Sequence, residues 1–190
     1  MTDTDAAATL REIERVKRST HALLDATWFP LLLWGSIVAA SAPFTQLGDD
    51  NAVGFYWFLA GPAGTAASFL FFRDRELDLG LVDRHKVVYI ALAAAIAIGS
   101  MSLGIAGDGA MLSAVGPVYV VAAGLAGFSW LERSSLLAVT ALAMAAAGTG
   151  VLAIDPGERN LLAALVEGAV LIVAGVVALR RRKLDPARQA

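Results

Sequence analysis

Phe55-Tyr-Trp-Phe-Leu-Ala-Gly-Pro-Ala-Gly-Thr-Ala-Ala-Ser-Phe-Leu-Phe-Phe72 is a run without a single charged side chain. Roughly 20 apolar residues at 1.5 Å each cross the ~30 Å hydrocarbon core of a bilayer. The run is therefore read as a membrane span, although Gly61-Pro62 stands near its middle, where a helix tolerates proline least. Five further blocks of similar length surround it. The apolar stretches run over about 22–42, 52–72, 87–107, 111–131, 134–154 and 160–180. The reading is an all-α polytopic transmembrane helical bundle of six spans, preceded by a segment 1–21 and followed by a basic tail 181–190.

Composition agrees with this division. Of 190 residues, 57% are hydrophobic and only 17% charged, where a soluble domain carries about 25% charged. No room remains for a separate soluble domain. The chain has no cysteine, which excludes disulfides, thiolate nucleophiles and cysteine-based metal sites. The N-terminus, Met1-Thr-Asp-Thr-Asp5, lacks the basic stretch of a secretory signal, so the first span is expected to be retained. A net charge of −2 gives no reason to expect a nucleic-acid partner.

Basic residues set the expected orientation. Arg11, Arg15, Lys17 and Arg18 precede the first span. Arg73, Arg75, Arg84 and Lys86 follow the second, Arg133 follows the fourth, and Arg180, Arg181, Arg182, Lys183 and Arg188 follow the sixth. With six spans these all fall on one side, and only Arg159 lies on the other. The positive-inside rule places both termini in the cytoplasm, in a multi-pass protein of the inner (cytoplasmic) membrane. The remaining loops, at about 43–51, 108–110 and 155–159, are short enough to make neighbouring spans antiparallel hairpins.

Within the spans, Glu167 is the one ionisable residue far from either end. A charge there costs roughly 2.5–3.5 kcal/mol on insertion scales, so its presence marks a candidate site. On a helical wheel Asn160, Ala163, Ala164, Leu171, Ala174, Gly175 and Ala178 share its side, and Leu162, Leu165, Ile172, Val173 and Val176 lie opposite. Small residues favour helix contact, so Glu167 is expected to face the bundle. Counting depth, Trp57, Ser100, Ser102, Tyr119 and Thr149 fall near its level and complete a candidate polar layer. Pro62 deprives the Phe58 carbonyl of its donor, and Gly116-Pro117 repeats the device in span four. These two breaks are either kinks for packing or part of a site with Glu167. Other small stripes occur at Ala91, Ala95 and Gly99, at Ala123 and Gly127, and at Ala141, Ala145 and Thr149.

Trp28, Tyr89, Trp130, Tyr56 and Trp57 sit toward span ends, as interfacial anchors do, and Trp34 lies deeper. Pro30 reads as an early kink of span one and Pro43 as its end marker. The stretch Arg73–Lys86 reads as a self-neutralising solvated loop. Leu10, Ile13 and Val16 give the N-terminal segment one apolar face, expected either on lipid headgroups or on a cytoplasmic protein partner.

No catalytic constellation is present: no zinc-protease motif, no phosphate loop and no paired carboxylates within the spans. His21 and His85 stand at the cytoplasmic ends of spans one and three and read as solvated interface histidines, the alternative being one shared haem or metal. No metal or cofactor is expected. Trp28-x-Pro30, Tyr56-Trp57 and Gly61-Pro62-x-Gly64 running into Phe71-Phe72-Arg73 resemble a loose group of uncharacterised bacterial six-helix integral membrane proteins. The likeness covers mainly the first two spans and implies a bacterial cell membrane and no particular activity. Three function classes stay open, with a membrane enzyme placed third behind two others. One is a non-catalytic membrane partner or regulatory subunit, with a homo-oligomer among its candidate assemblies. The other is a small proton- or cation-coupled transporter or channel subunit using Glu167.

Overall fold

A computed structural model describes residues 27–46, 50–79, 86–106, 110–154 and 158–184. These form six helices: α1 (Trp28–Ser41), α2 (Asp50–Leu79), α3 (Lys86–Ala106), α4 (Ala110–Glu132), α5 (Ser135–Leu152) and α6 (Arg159–Leu184). A 3-10 turn, Ala42–Gln46, extends α1, with Pro43 in it. The described residues contain no strand. Five helices are long and apolar enough to cross a membrane, and α3 has a described apolar part at Ala91–Ser100. The segment 10–20, His21, His85 and residues 185–190 lie outside the described residues.

The helices run past the apolar blocks at two places. α2 continues unbroken through Pro62 and on to Leu79. The expected solvated loop from Arg73 is thus helical for its first half, and Lys86 already opens α3. At 30 residues α2 is ~45 Å long, more than the ~30 Å of hydrocarbon needs, and the charged residues beyond Phe72 stay within the helix. α6 likewise carries Arg180, Arg181 and Arg182 inside the helix, where basic groups complement the C-terminal end of the dipole. Pro30 sits in the first turn of α1, where its missing N–H breaks no intrahelical bond; no kink is required of it.

Glycine contacts fix the packing. Gly168 lies against Ala39, Gly35 against Leu171 and Ile172, and Gly175 against Leu32. Numbers rise on α6 as they fall on α1, so the first and last helices are antiparallel and closely apposed. Gly64 meets Ile37 and Trp34, which docks α2 antiparallel on α1. Gly99, Gly124 and Gly127 meet Val120, Ile96 and Leu92, and dock α3 antiparallel on α4. Ile172, expected to face lipid, instead fills the space that Gly35 leaves.

α6 is the hub, packed on α1, α5 and α4. The core is Val115, Val118, Ala122 and Leu125 of α4, Leu137, Ala141, Met144 and Val151 of α5, Ala163, Leu171 and Ala174 of α6, and Leu31 of α1. Trp34 packs against it. α2 leans on α1 and α3 on α4, one at each flank. These two helices follow one another in sequence, yet no substantial packing joins them among the described residues.

Short connections hold the hairpins. Between α4 and α5, Arg133 takes a left-handed φ of 51°. The Ser134 N–H donates to the Ser129 carbonyl at 3.1 Å, the 6→1 bond of a Schellman turn. Ser129 Oγ donates to the Ser134 carbonyl at 2.9 Å, and Ser134 Oγ caps α5 by accepting from the Leu137 N–H at 3.5 Å. At the other end of α5, Arg159 Nε donates to the Ile154 carbonyl at 2.8 Å and Nη2 to the Leu152 carbonyl at 3.1 Å. Among the described side chains, Arg73, Arg133, Arg180 and Arg181 lie at one end of the bundle, here the basic end, and Arg159 at the far end. The exceptional arginine is held against the carbonyl-rich end of α5, which accounts for its place there.

Candidate intramembrane polar site

Glu167 projects from the middle of the buried arc of α6. Ala163 and Leu171, one turn to either side, are core residues, and Ala164, Gly168, Ala174 and Gly175 are buried around it. Glu167 itself is half-buried and makes no hydrogen bond or ion pair with a described residue. Its carboxyl has no fixed partner among the described residues. α1 and α4, both packed on this helix, do not meet substantially.

The two Gly-Pro pairs have opposite settings. Gly61 has nothing within 4 Å of a Cβ position, and Pro62 and Thr65 are exposed. Thr65 Oγ1 donates to the Gly61 carbonyl at 2.9 Å. Through the contacts of Gly64 with Ile37 and Gly168 with Ala39, Gly61 and Glu167 lie at about one depth. They do not face each other, because α1 stands between α2 and α6. Gly116, by contrast, is buried and Pro117 half-buried, beside the core residues Val115 and Val118. Both helices continue unbroken through their prolines.

Of the remaining layer residues, two meet. Tyr119 Oη and Thr149 Oγ1 are 2.8 Å apart. Thr149 Oγ1 also lies 2.9 Å from the Ala145 carbonyl, to which its hydroxyl donates. One hydroxyl carries one proton, so Tyr119 is the donor in the pair. The chain of bonds runs Tyr119 to Thr149 to Ala145, and leaves the Tyr119 oxygen as an open acceptor. Both side chains are exposed, Tyr119 by 38%. Ser102 is exposed and unbonded among the described residues, and the Ser100 Oγ is buried without a partner. Trp57 packs edge-on to Tyr56, ring centroids 5.6 Å apart. The layer is thus split. Tyr119, Thr149 and Ser102 turn outward, Glu167 inward, and Trp57 stays on α2.

Sequence reading assigned Tyr56, Trp28 and Trp130 to span ends and passed over Glu132. Tyr56 Oη donates across the α1–α2 contact to the Ile37 carbonyl at 2.5 Å, and its ring lies on Phe44; it joins the two helices. Trp28 is also a packing residue, against Phe29 and Phe71, with its indole nitrogen buried and unpartnered. Trp130 is 82% exposed. Glu132 has a buried, unpartnered Oε2 at the basic end of α4; its place at a span boundary hid it from a search for charges deep within spans. No cluster of three or more metal-ligating side chains occurs among the described residues. No protein-family model, curated protein or solved structure matches the chain.

Proposed function

We propose that this chain is a non-catalytic subunit that associates laterally with a protein partner in a bacterial cytoplasmic membrane. One observation carries the reading: the polar devices of spans two, four and five face out of the bundle. Pro62 and Thr65 on α2, and Tyr119 with Thr149 on α4 and α5, are exposed. Their hydroxyl protons are used within the fold, on the Gly61 carbonyl, Thr149 and the Ala145 carbonyl, but lipid offers no donor to the lone pairs left over. A neighbouring helix supplies what lipid does not. The basic end carries Arg73, Arg133, Arg180 and Arg181, and the positive-inside rule puts it, with both termini, in the cytoplasm. The test is a photo-crosslinking side chain at Phe58, 74% exposed beside Pro62, activated in intact membranes. A discrete protein adduct supports the reading, and labelling of lipid alone removes α2 as an association face.

A second reading rests on Glu167. A half-buried, unpartnered carboxyl on the inward arc of the hub helix suits proton or cation coupling. Its test is pH-driven flux into liposomes, wild type against Glu167→Gln. Equal background flux from both discards it.

A further inference from the structure

The outward side of α3 and α4 forms one wall. On α4, Val120, Gly124 and Gly127 face α3, Val115 and Val118 face Gly148 of α5, and Val121 and Phe128 pack toward the core. What remains is Tyr119, Ala123, Ala126 and Trp130, all exposed. On α3, Leu92, Ile96 and Gly99 face α4, and the helical wheel then turns Ala95 and Ser102 to the same side as Tyr119. Both are exposed. The contact of Gly99 with Val120 puts Ser102 within ~3 Å of the depth of Tyr119.

This wall holds a donor and an acceptor that do not satisfy each other. The Ser102 hydroxyl has no partner among the described residues. The Tyr119 hydroxyl donates to Thr149 Oγ1, and its oxygen keeps open lone pairs. They stand on neighbouring helices, about one interhelical spacing of 8–10 Å apart. A two-fold axis along the membrane normal preserves depth and exchanges the two helices. It sets the α3 of one copy against the α4 of another, antiparallel as within each copy, and brings each Ser102 to the other copy's Tyr119. Ala95, Ala123 and Ala126 between them are small enough to let the helices close.

We propose that this wall is the docking surface for a second copy of the chain, with α3 and α4 of two copies forming a four-helix interface closed by two Ser102–Tyr119 hydrogen bonds. The proposal rests on the lateral-association reading above and names its partner.

The chain lacks cysteine, so introduced thiols report cleanly. Two differently tagged copies, one Ala95→Cys and one Ala123→Cys, are co-expressed and oxidised in membranes. A mixed disulfide is expected, and Val173→Cys pairs on the exposed face of α6 give the collision background. Mixed species no stronger than that background overturn the proposal. Ser102→Ala, an exposed change that keeps the fold, is expected to weaken association about eight-fold. Each of the two bonds contributes about three-fold at the ~0.6 kcal/mol typical of interhelical bonds in membranes. Unchanged association removes the hydrogen-bonded geometry. A photo-crosslinker at Ala123 that captures only a different protein overturns the second copy and leaves lateral association standing.

Discussion

Gly168 of α6 lies so close to Ala39 of α1 that a Cβ on the glycine would stand 2.7 Å from the Ala39 Cβ and 2.8 Å from its backbone nitrogen. Backbone cannot swing aside as a long side chain can. Gly168→Ala is therefore expected to destabilise the bundle by about 1–3 kcal/mol, the usual range for overpacking. Thermal unfolding in detergent or lipid discs measures it. The control is Gly61→Ala, where nothing lies within 4 Å. There the better helix propensity of alanine should leave stability equal or raise it, by up to ~1 kcal/mol. A loss at Gly61 matching that at Gly168 would contradict the packing described.

Arg159 bonds two carbonyls beyond the regular ladder of α5, those of Leu152 and Ile154. Arg159→Ala leaves both without that donor. The expected cost is about 1–3 kcal/mol, in line with charged hydrogen bonds. Arg159→Lys restores charge without the fork, so its melting temperature should fall between alanine and wild type.

Arg133 holds a φ of 51° in the turn between α4 and α5. Glycine occupies that conformation without the steric cost borne by other residues. Arg133→Gly is expected to raise stability by ~1 kcal/mol, read as a higher unfolding midpoint. A lower midpoint would mean that the arginine side chain holds the turn.

Tyr119→Phe removes the interhelical bond to Thr149, and Thr149→Val removes the same bond from the other side. If the 2.8 Å contact is the principal interaction of each hydroxyl, the two changes are not additive. The double variant should be no less stable than the worse single one by more than ~0.5 kcal/mol. Full additivity in unfolding measurements would show that the hydroxyls act separately.

The helices were legible because bilayer thickness imposes a length that apolar runs display directly. Their extensions were not. The charged turn Arg73–Leu79 reads as loop by hydropathy, yet it remains helical because water allows a helix to continue wherever propensity permits. Packing was partly legible. The wheel of α6 separated Ala163, Ala164, Ala174 and Gly175 from Leu165 and Val173, since small residues admit neighbours. It failed at Ile172, because a large residue can also pack where the opposite helix supplies Gly35. Depth could be counted, and Gly61 and Glu167 do lie level. Facing could not, because it depends on which helices adjoin, and α1 sits between them. Ala91, Ala95 and Ala123 show the same limit: small residues mark a helix that can be approached closely, and the approaching helix need not belong to the same fold.

The outward polar groups make lateral association the central claim. The direct test is the mass of the particle extracted from membranes in native lipid discs, without detergent at any stage. The account predicts a mass above that of one chain plus lipid, falling toward one chain in Ser102→Ala and Tyr119→Phe. Discs holding a single chain in the wild type, at the expression level of an intact membrane, would contradict it.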